Sequence, residues 1–177
     1  PSLRREAVRT LALRRDKGRA EVLAAVAADT ELTPSVRADA IAGLAMFADE
    51  HQGLLEELAG SADATVAAEA RRSLGVSGLG PRDPGAKPAI DDIPGWEAML
   101  DALPGASDLD NGRRLFFHPR LATCANCHLM DGRGIDVGPD LTTIRRQAGG
   151  GRSWLLAHIL DPNSEVAPYY RPQMITT

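Results

Sequence analysis

Three copies of one eleven-residue pattern, set 33 and then 30 residues apart, constrain the first half of this chain more than any other feature. SLRREAVRTLA (Ser2 to Ala12), SVRADAIAGLA (Ser35 to Ala45) and TVAAEARRSLG (Thr65 to Gly75) each open on a Ser or Thr able to cap a helix. Each then sets an aliphatic residue (Leu3, Val36, Val66), an alanine (Ala7, Ala40, Ala70) and a leucine (Leu11, Leu44, Leu74) on one helical face. Between the copies, Arg19 to Ala28 and Gln52 to Ala59 read as second helices. Each unit is therefore a pair of helices, too small to bury its apolar stripe alone and stable only when stacked on its neighbours. Met46 is expected in the core of this half and His51 on its surface.

The first half resembles HEAT-type helical repeats from Pro1 to about Ser77, with units shorter than the ~40–47 residues of that class. A plain three-layer helical bundle has the same consequence: a packing surface with no catalytic constellation. Residues 78–95 then form a linker, since Val76 to Gly95 is dense in glycine and proline, a composition that disfavours helix and strand alike. Residues 96–177 form the second unit, which holds both cysteines and most of the aromatic residues. Within it, Trp96 to Leu103 and Ser153 to Leu160 read as short helices and Gly112 to His118 as an amphipathic one. The fold class expected is all-α.

Acidic residues outnumber basic ones, 24 to 20, for a formal charge of −4, which argues against general nucleic-acid binding. From Gly78 to Asn111 seven acids face two basic residues, whereas from Gly112 onward eight arginines face five acids. No stretch approaches the ~20 apolar residues of a membrane span. The first ten residues carry no apolar run of the kind an export signal needs. Because the chain starts inside a helical pattern and stops at MITT without a closing element, it reads as a piece of a longer protein.

The chemistry is carried by Cys124-Ala125-Asn126-Cys127-His128, a C-x-x-C-H run. This is the pattern of covalent haem attachment: two thiols one turn apart can each add to a vinyl group on one edge of a porphyrin, and the adjacent histidine ligates the iron. A structural zinc site needs four ligands in a tetrahedron, but Cys127 and His128 are adjacent and there is no second cysteine pair. A thioredoxin-like pair needs a strand before the motif, where this sequence reads as helix. A disulfide leaves His128 without a role.

Around the motif the order is G-x-x-x-F (Gly112 to Phe116), C-x-x-C-H, Gly138-Pro139-Asp140-Leu141, then Trp154-Leu155 with Ile159 and Asp161-Pro162, then Met174. This order resembles a class I cytochrome c, and more closely the haem-binding domains of multidomain bacterial proteins classed as dehydrogenases, in which helical repeats precede the cytochrome. The resemblance covers about Gly95 to Thr177. It implies one haem c held by thioethers to Cys124 and Cys127, with His128 as proximal iron ligand and the Pro139 carbonyl on its free ring nitrogen, a contact that fixes tautomer and ring plane. It further implies that Leu141 packs on the porphyrin and that Gly112 and Phe116 cross the Trp154 helix. Phe116, Leu141 and Trp154 are equally compatible with ordinary core packing. Arg145, beside Arg146 and Arg152, suits a haem propionate or a solvated surface, and Tyr169 and Tyr170 have the same two readings.

For the distal iron position, Met130 lies two residues past His128, a span of at most ~7 Å, too short to round the porphyrin edge. His118 ends the helix before the motif and belongs to the proximal side. Met174 occupies the place where the resembled cytochromes carry their axial methionine, with His158 as the alternative. The expected function is electron transfer through one haem within a larger oxidoreductase. A six-coordinate iron leaves no site for substrate, so this chain alone is not expected to be an enzyme. Competing readings are a haem sensor or peroxidase-like enzyme with a labile distal ligand, and a non-haem interaction module. The expected partner is a redox protein or a dehydrogenase domain of the same parent chain, with neither nucleic acid nor membrane contacting this portion. The expected location is the periplasm or another exported compartment, with a membrane tether elsewhere in the parent allowed.

Overall fold

A computed structural model describes residues 3–14, 16, 18–75, 87–103, 105, 107–147, 151–166 and 168–170. The described chain is mostly helical and divides into two compact units, Pro1–Gly80 with Asp108–Asn126, and Pro81–Ser107 with Cys127–Thr177.

In the first unit the repeat copies form α1 (Leu3–Leu13), α3 (Pro34–Leu44) and α5 (Ala64–Ser73), and the intervening helices are α2 (Arg19–Ala28) and α4 (Gln52–Ala59). Packing of α3 on α1, α2 and α5 makes it the centre of the unit, and it is buried on nearly all sides, from Val36 to Leu44. That suits its sequence, which is apolar or small around the whole helix. Leu23, Ile41, Leu44, Leu55 and Val66 are fully buried, each contributing about 1.5–3 kcal/mol of burial free energy. Small residues set the spacing: a Cβ at Gly43 would lie 2.7 Å from Ala12 Cβ and 2.9 Å from Leu23 Cδ1.

Four sequence expectations are corrected here. The N-cap of α5 is Asp63, not Thr65, because a carboxylate two residues upstream accepts from the free N–H groups of both Thr65 and Val66, at 2.9 and 3.1 Å. Helix α3 likewise starts behind Thr33 with Pro34 in its first turn, not at Ser35. In the first copy the inward face is rotated: Leu3 is 89% exposed and Ala7 is exposed, while Val8 is buried. The rotation follows from Arg5 and Arg9, which turn inward to reach Asp39 on α3. Met46 is exposed as well.

The first unit also contains α7 (Leu109–Phe117), which packs on α3. This differs from a break at residues 78–95 with everything after it in one body. The physical reason is charge. Arg114 is buried, and its Nε donates to Glu69 Oε2 at 2.9 Å and its Nη1 to Asp39 Oδ1 at 3.5 Å. Asp110 accepts from Arg5 Nη1 at 2.9 Å and from Arg9 Nη2 at 3.1 Å. The acidic and basic residues of α7 thus find complementary partners on α1, α3 and α5.

The second unit contains α6 (Ile93–Asp101), a two-stranded antiparallel hairpin of β1 (Leu129–Met130) and β2 (Arg133–Gly134), the short α8 (Ile144–Gln147), and α9 (Arg152–Leu160). Asp92 caps α6 by accepting from the Gly95 N–H at 3.0 Å, and the Trp96 indole donates to the Ala89 carbonyl at 2.9 Å. Helix α9 packs on α6, joined by Ser153 Oγ to Glu97 Oε1 at 2.7 Å and Arg152 to Asp101 at 2.5 Å. The hairpin departs from a purely helical expectation. Its turn is Asp131-Gly132, both at positive φ (53° and 69°), the backbone of a tight hairpin turn. Among the described residues of this unit no hydrophobic side chain is buried; Trp96, Met99, Leu100, Leu141, Trp154, Leu155 and Leu156 are all half-buried. No described helix is long and apolar enough to cross a membrane.

Candidate cofactor site

The two cysteines fall on either side of the division between the units, which lies between Asn126 and Cys127. In the first unit α7 ends at Phe117, and the chain turns through His118 and Pro119 into a 3-10 turn over Cys124–Asn126. Thr123, just before it, has φ of 52°, an unusual conformation for a β-branched residue. Its carbonyl accepts from the Asn126 N–H at 2.9 Å, closing the turn. Cys124 is half-buried, with its thiol 3.6 Å from the Ala122 carbonyl. Neither cysteine is in a disulfide.

In the second unit the chain after Cys127 folds back on itself. The exposed Cys127 offers its carbonyl to the N–H groups of Val137 (3.2 Å) and Gly138 (2.6 Å), and Leu129 accepts from the Leu141 N–H at 2.9 Å. These bonds bring the Gly138-Pro139 segment beside His128, whose Nδ1 lies 2.8 Å from the Pro139 carbonyl oxygen. A carbonyl only accepts, so Nδ1 carries the hydrogen and Nε2 keeps its lone pair for an electrophile or a metal. Gly138 is buried, and a Cβ there would lie 2.7 Å from His128 Cε1, 3.0 Å from Nδ1 and 3.2 Å from the Cys127 carbonyl, so this approach requires glycine. Asp140 and Thr142 pin the loop to the hairpin: Thr142 donates to Asp140 Oδ1 from both N–H (2.8 Å) and hydroxyl (2.5 Å) and accepts from the Asp131 N–H (2.9 Å). The Thr142 hydroxyl holds the Asp140 carboxyl below its usual range.

The histidine and the proline singled out in the sequence are thus brought together. Leu141 follows in the same loop, half-buried. Trp154, half-buried on α9, stacks on His158, with ring centroids 3.8 Å apart. The ring nitrogens of His158 both face acceptors, Nδ1 the Trp154 carbonyl (2.8 Å) and Nε2 the Glu165 carboxylate (3.0 Å). Arg145 is exposed, at the rim of a groove of about 720 Å³ floored by Leu100, Leu155, Leu156 and Ile159. Tyr169 is 99% exposed and Tyr170 40% exposed. Met174 lies outside the described residues.

Phe116 lies on α7 in the first unit, edge-on to Phe117 with centroids 4.9 Å apart, whereas Trp154 lies on α9, which packs on α6. His118 is fully buried in the first unit, accepts at Nδ1 from the Arg120 N–H (3.2 Å), and has no partner at Nε2. Burial, with the charges of Arg72 and Arg120, pushes its pKa down to about 4. The hairpin and its hold on the Gly138 loop escaped the sequence reading, although Asp131-Gly132 is the strongest short hairpin signal a sequence offers.

Among the described residues no group of three or more His, Cys, Asp or Glu side chains could hold a metal ion. Comparison with protein-family models, with curated proteins and with solved structures finds no match for this chain.

Proposed function

We propose that this chain carries electrons through one c-type haem, attached by thioethers to Cys124 and Cys127 and ligated by His128. The observation that carries this reading is the fixed His128 ring. Donation from Nδ1 to the Pro139 carbonyl selects the tautomer with a free Nε2, raises the basicity of that nitrogen and holds the ring plane. Gly138 admits the loop close enough to do so.

The chemistry of the second unit also fits a large apolar prosthetic group. Its half-buried tryptophans and leucines lack a core of their own among the described residues, and its groove combines an aliphatic floor with guanidinium groups at the rim, a lining suited to an apolar body bearing carboxylates. When bound, haem supplies a one-electron ferric/ferrous couple. Met174 is the proposed distal ligand, favoured over His158 because both ring nitrogens of His158 are directed at protein acceptors. The stacked helix pairs act as a HEAT-like packing surface that docks the chain to a redox partner or to a dehydrogenase domain of a longer parent. Because haem is joined to C-x-x-C-H after export, the proposed location is the periplasm or an equivalent compartment.

The deciding experiment is the absorbance spectrum of the chain, produced in cells that mature c-type haem and then denatured in alkaline pyridine. A covalently retained haem spectrum is expected, and its absence overturns the proposal.

A further inference from the structure

The first unit contains a buried charge network that links α1, α3, α5 and α7. Arg5 and Arg9 donate through Nε to Asp39 Oδ2 at 2.7 and 2.9 Å. Arg114 of α7 reaches Asp39 on α3 and Glu69 on α5, and Glu69 also pairs with Arg72. The side chains of Asp39, Glu69 and Arg114 are all at least nine-tenths buried, and burial raises the Glu69 carboxyl above its usual range. Charges are not placed at such depth without compensation, because desolvation costs several kcal/mol per ion. Besides tying α1 to α3, this network fastens α7.

Helix α7 leads directly to Cys124. It packs against the turn that carries the thiol, and two of the six connecting residues are tied down: His118 is buried, and Arg120 Nη1 donates to the Ala45 carbonyl at 3.5 Å. Thr123 at φ 52° is a strained pivot, and such strain persists only where the surroundings over-determine the backbone.

We propose that Arg114 is a positioning residue for Cys124, holding that thiol in its turn through α7 from carboxylates, Asp39 and Glu69, that belong to the repeats. This rests on the reading of Cys124 as a thioether cysteine. The repeat half is then part of the apparatus that presents one of the two attachment thiols, and not only a docking surface.

The test compares Arg114→Met, the milder Glu69→Gln, and Leu58→Ala, a core variant on α4, which carries no residue of the network. In Arg114→Met, Asp39 keeps Arg5 and Arg9, and Glu69 keeps Arg72, so the repeats retain their pairs. In the haem-free chain, iodoacetamide labelling read by peptide mass is expected to rise about tenfold or more at Cys124 in Arg114→Met, the loss of a buried pair being large. A smaller rise is expected in Glu69→Gln, and Cys127 should be unchanged in both. In chain matured with haem, Arg114→Met should yield a product attached only through Cys127, with Cys124 still alkylatable. Unchanged Cys124 labelling in both network variants, or an equal rise in Leu58→Ala, overturns the proposal. If wild-type chain acquires no haem, the functional reading fails while the thiol comparison still decides the positioning role.

Discussion

The ring of His128 and the carbonyl of Pro139 meet at 2.8 Å across a loop that only glycine at position 138 permits. Gly138→Ala forces a Cβ to within 2.7 Å of the imidazole, so either the ring turns or the loop lifts. Overpacking of this kind costs about 1–3 kcal/mol. In haem-loaded chain the expected result is a disturbed low-spin spectrum with covalent attachment intact, because the thiols are untouched. Circular dichroism of the helices should be unchanged.

Asp39 accepts from three arginines in the interior of the first unit. Asp39→Ala removes the carboxylate the three arginines share, leaving Arg5 and Arg9 to Asp110 and Arg114 to Glu69, and loss of one partner from a buried network costs about 3–5 kcal/mol. The urea midpoint of the first unit should fall accordingly. Arg14→Ala, which removes the exposed pair with Asp16, should leave it nearly unchanged.

His118 gives the first unit a pH dependence of definite sign. Its pKa is about 4 in the fold against 6.5 for an unperturbed histidine, owing to burial and then to Arg72 and Arg120. Between those values the unfolded chain binds a proton that the folded chain refuses, so stability falls as pH drops from about 6.5 toward 4. Urea titrations at a series of pH values should show this slope, and His118→Leu should flatten it.

The cap of α5 separates two neighbouring residues cleanly. Asp63→Ala removes the acceptor for two backbone N–H groups and is expected to cost about 1 kcal/mol, whereas Thr65→Ala should be near neutral. Thermal unfolding of the two variants reads the difference.

Legibility in the sequence followed the range of the forces involved. The second helices of the repeats, Arg19–Ala28 and Gln52–Ala59, form at the residues their patterns mark, because helix periodicity and local breakers act within a few residues. The contact of His128 with Pro139 was implied by the resemblance to cytochromes c and by no local pattern of its own. The Asp131-Gly132 turn was present in the sequence and went unread.

Other features depended on contacts that no local pattern encodes. That Leu3 faces outward and Val8 inward was decided by Arg5 and Arg9 reaching Asp39, some 30 residues away in sequence. That α7 belongs with the repeats was decided by Arg114 pairing with Glu69 and Asp39, across 45 and 75 residues. The sequence by itself determined the second helices of the repeats and the spacing of the C-x-x-C-H run, because periodicity and spacing act between near neighbours; the close approach of Gly138 to His128 appears with the folded loop. Only the tertiary structure decided which helices share a body, because a buried charge takes whichever partner the completed packing brings within reach and excludes from water.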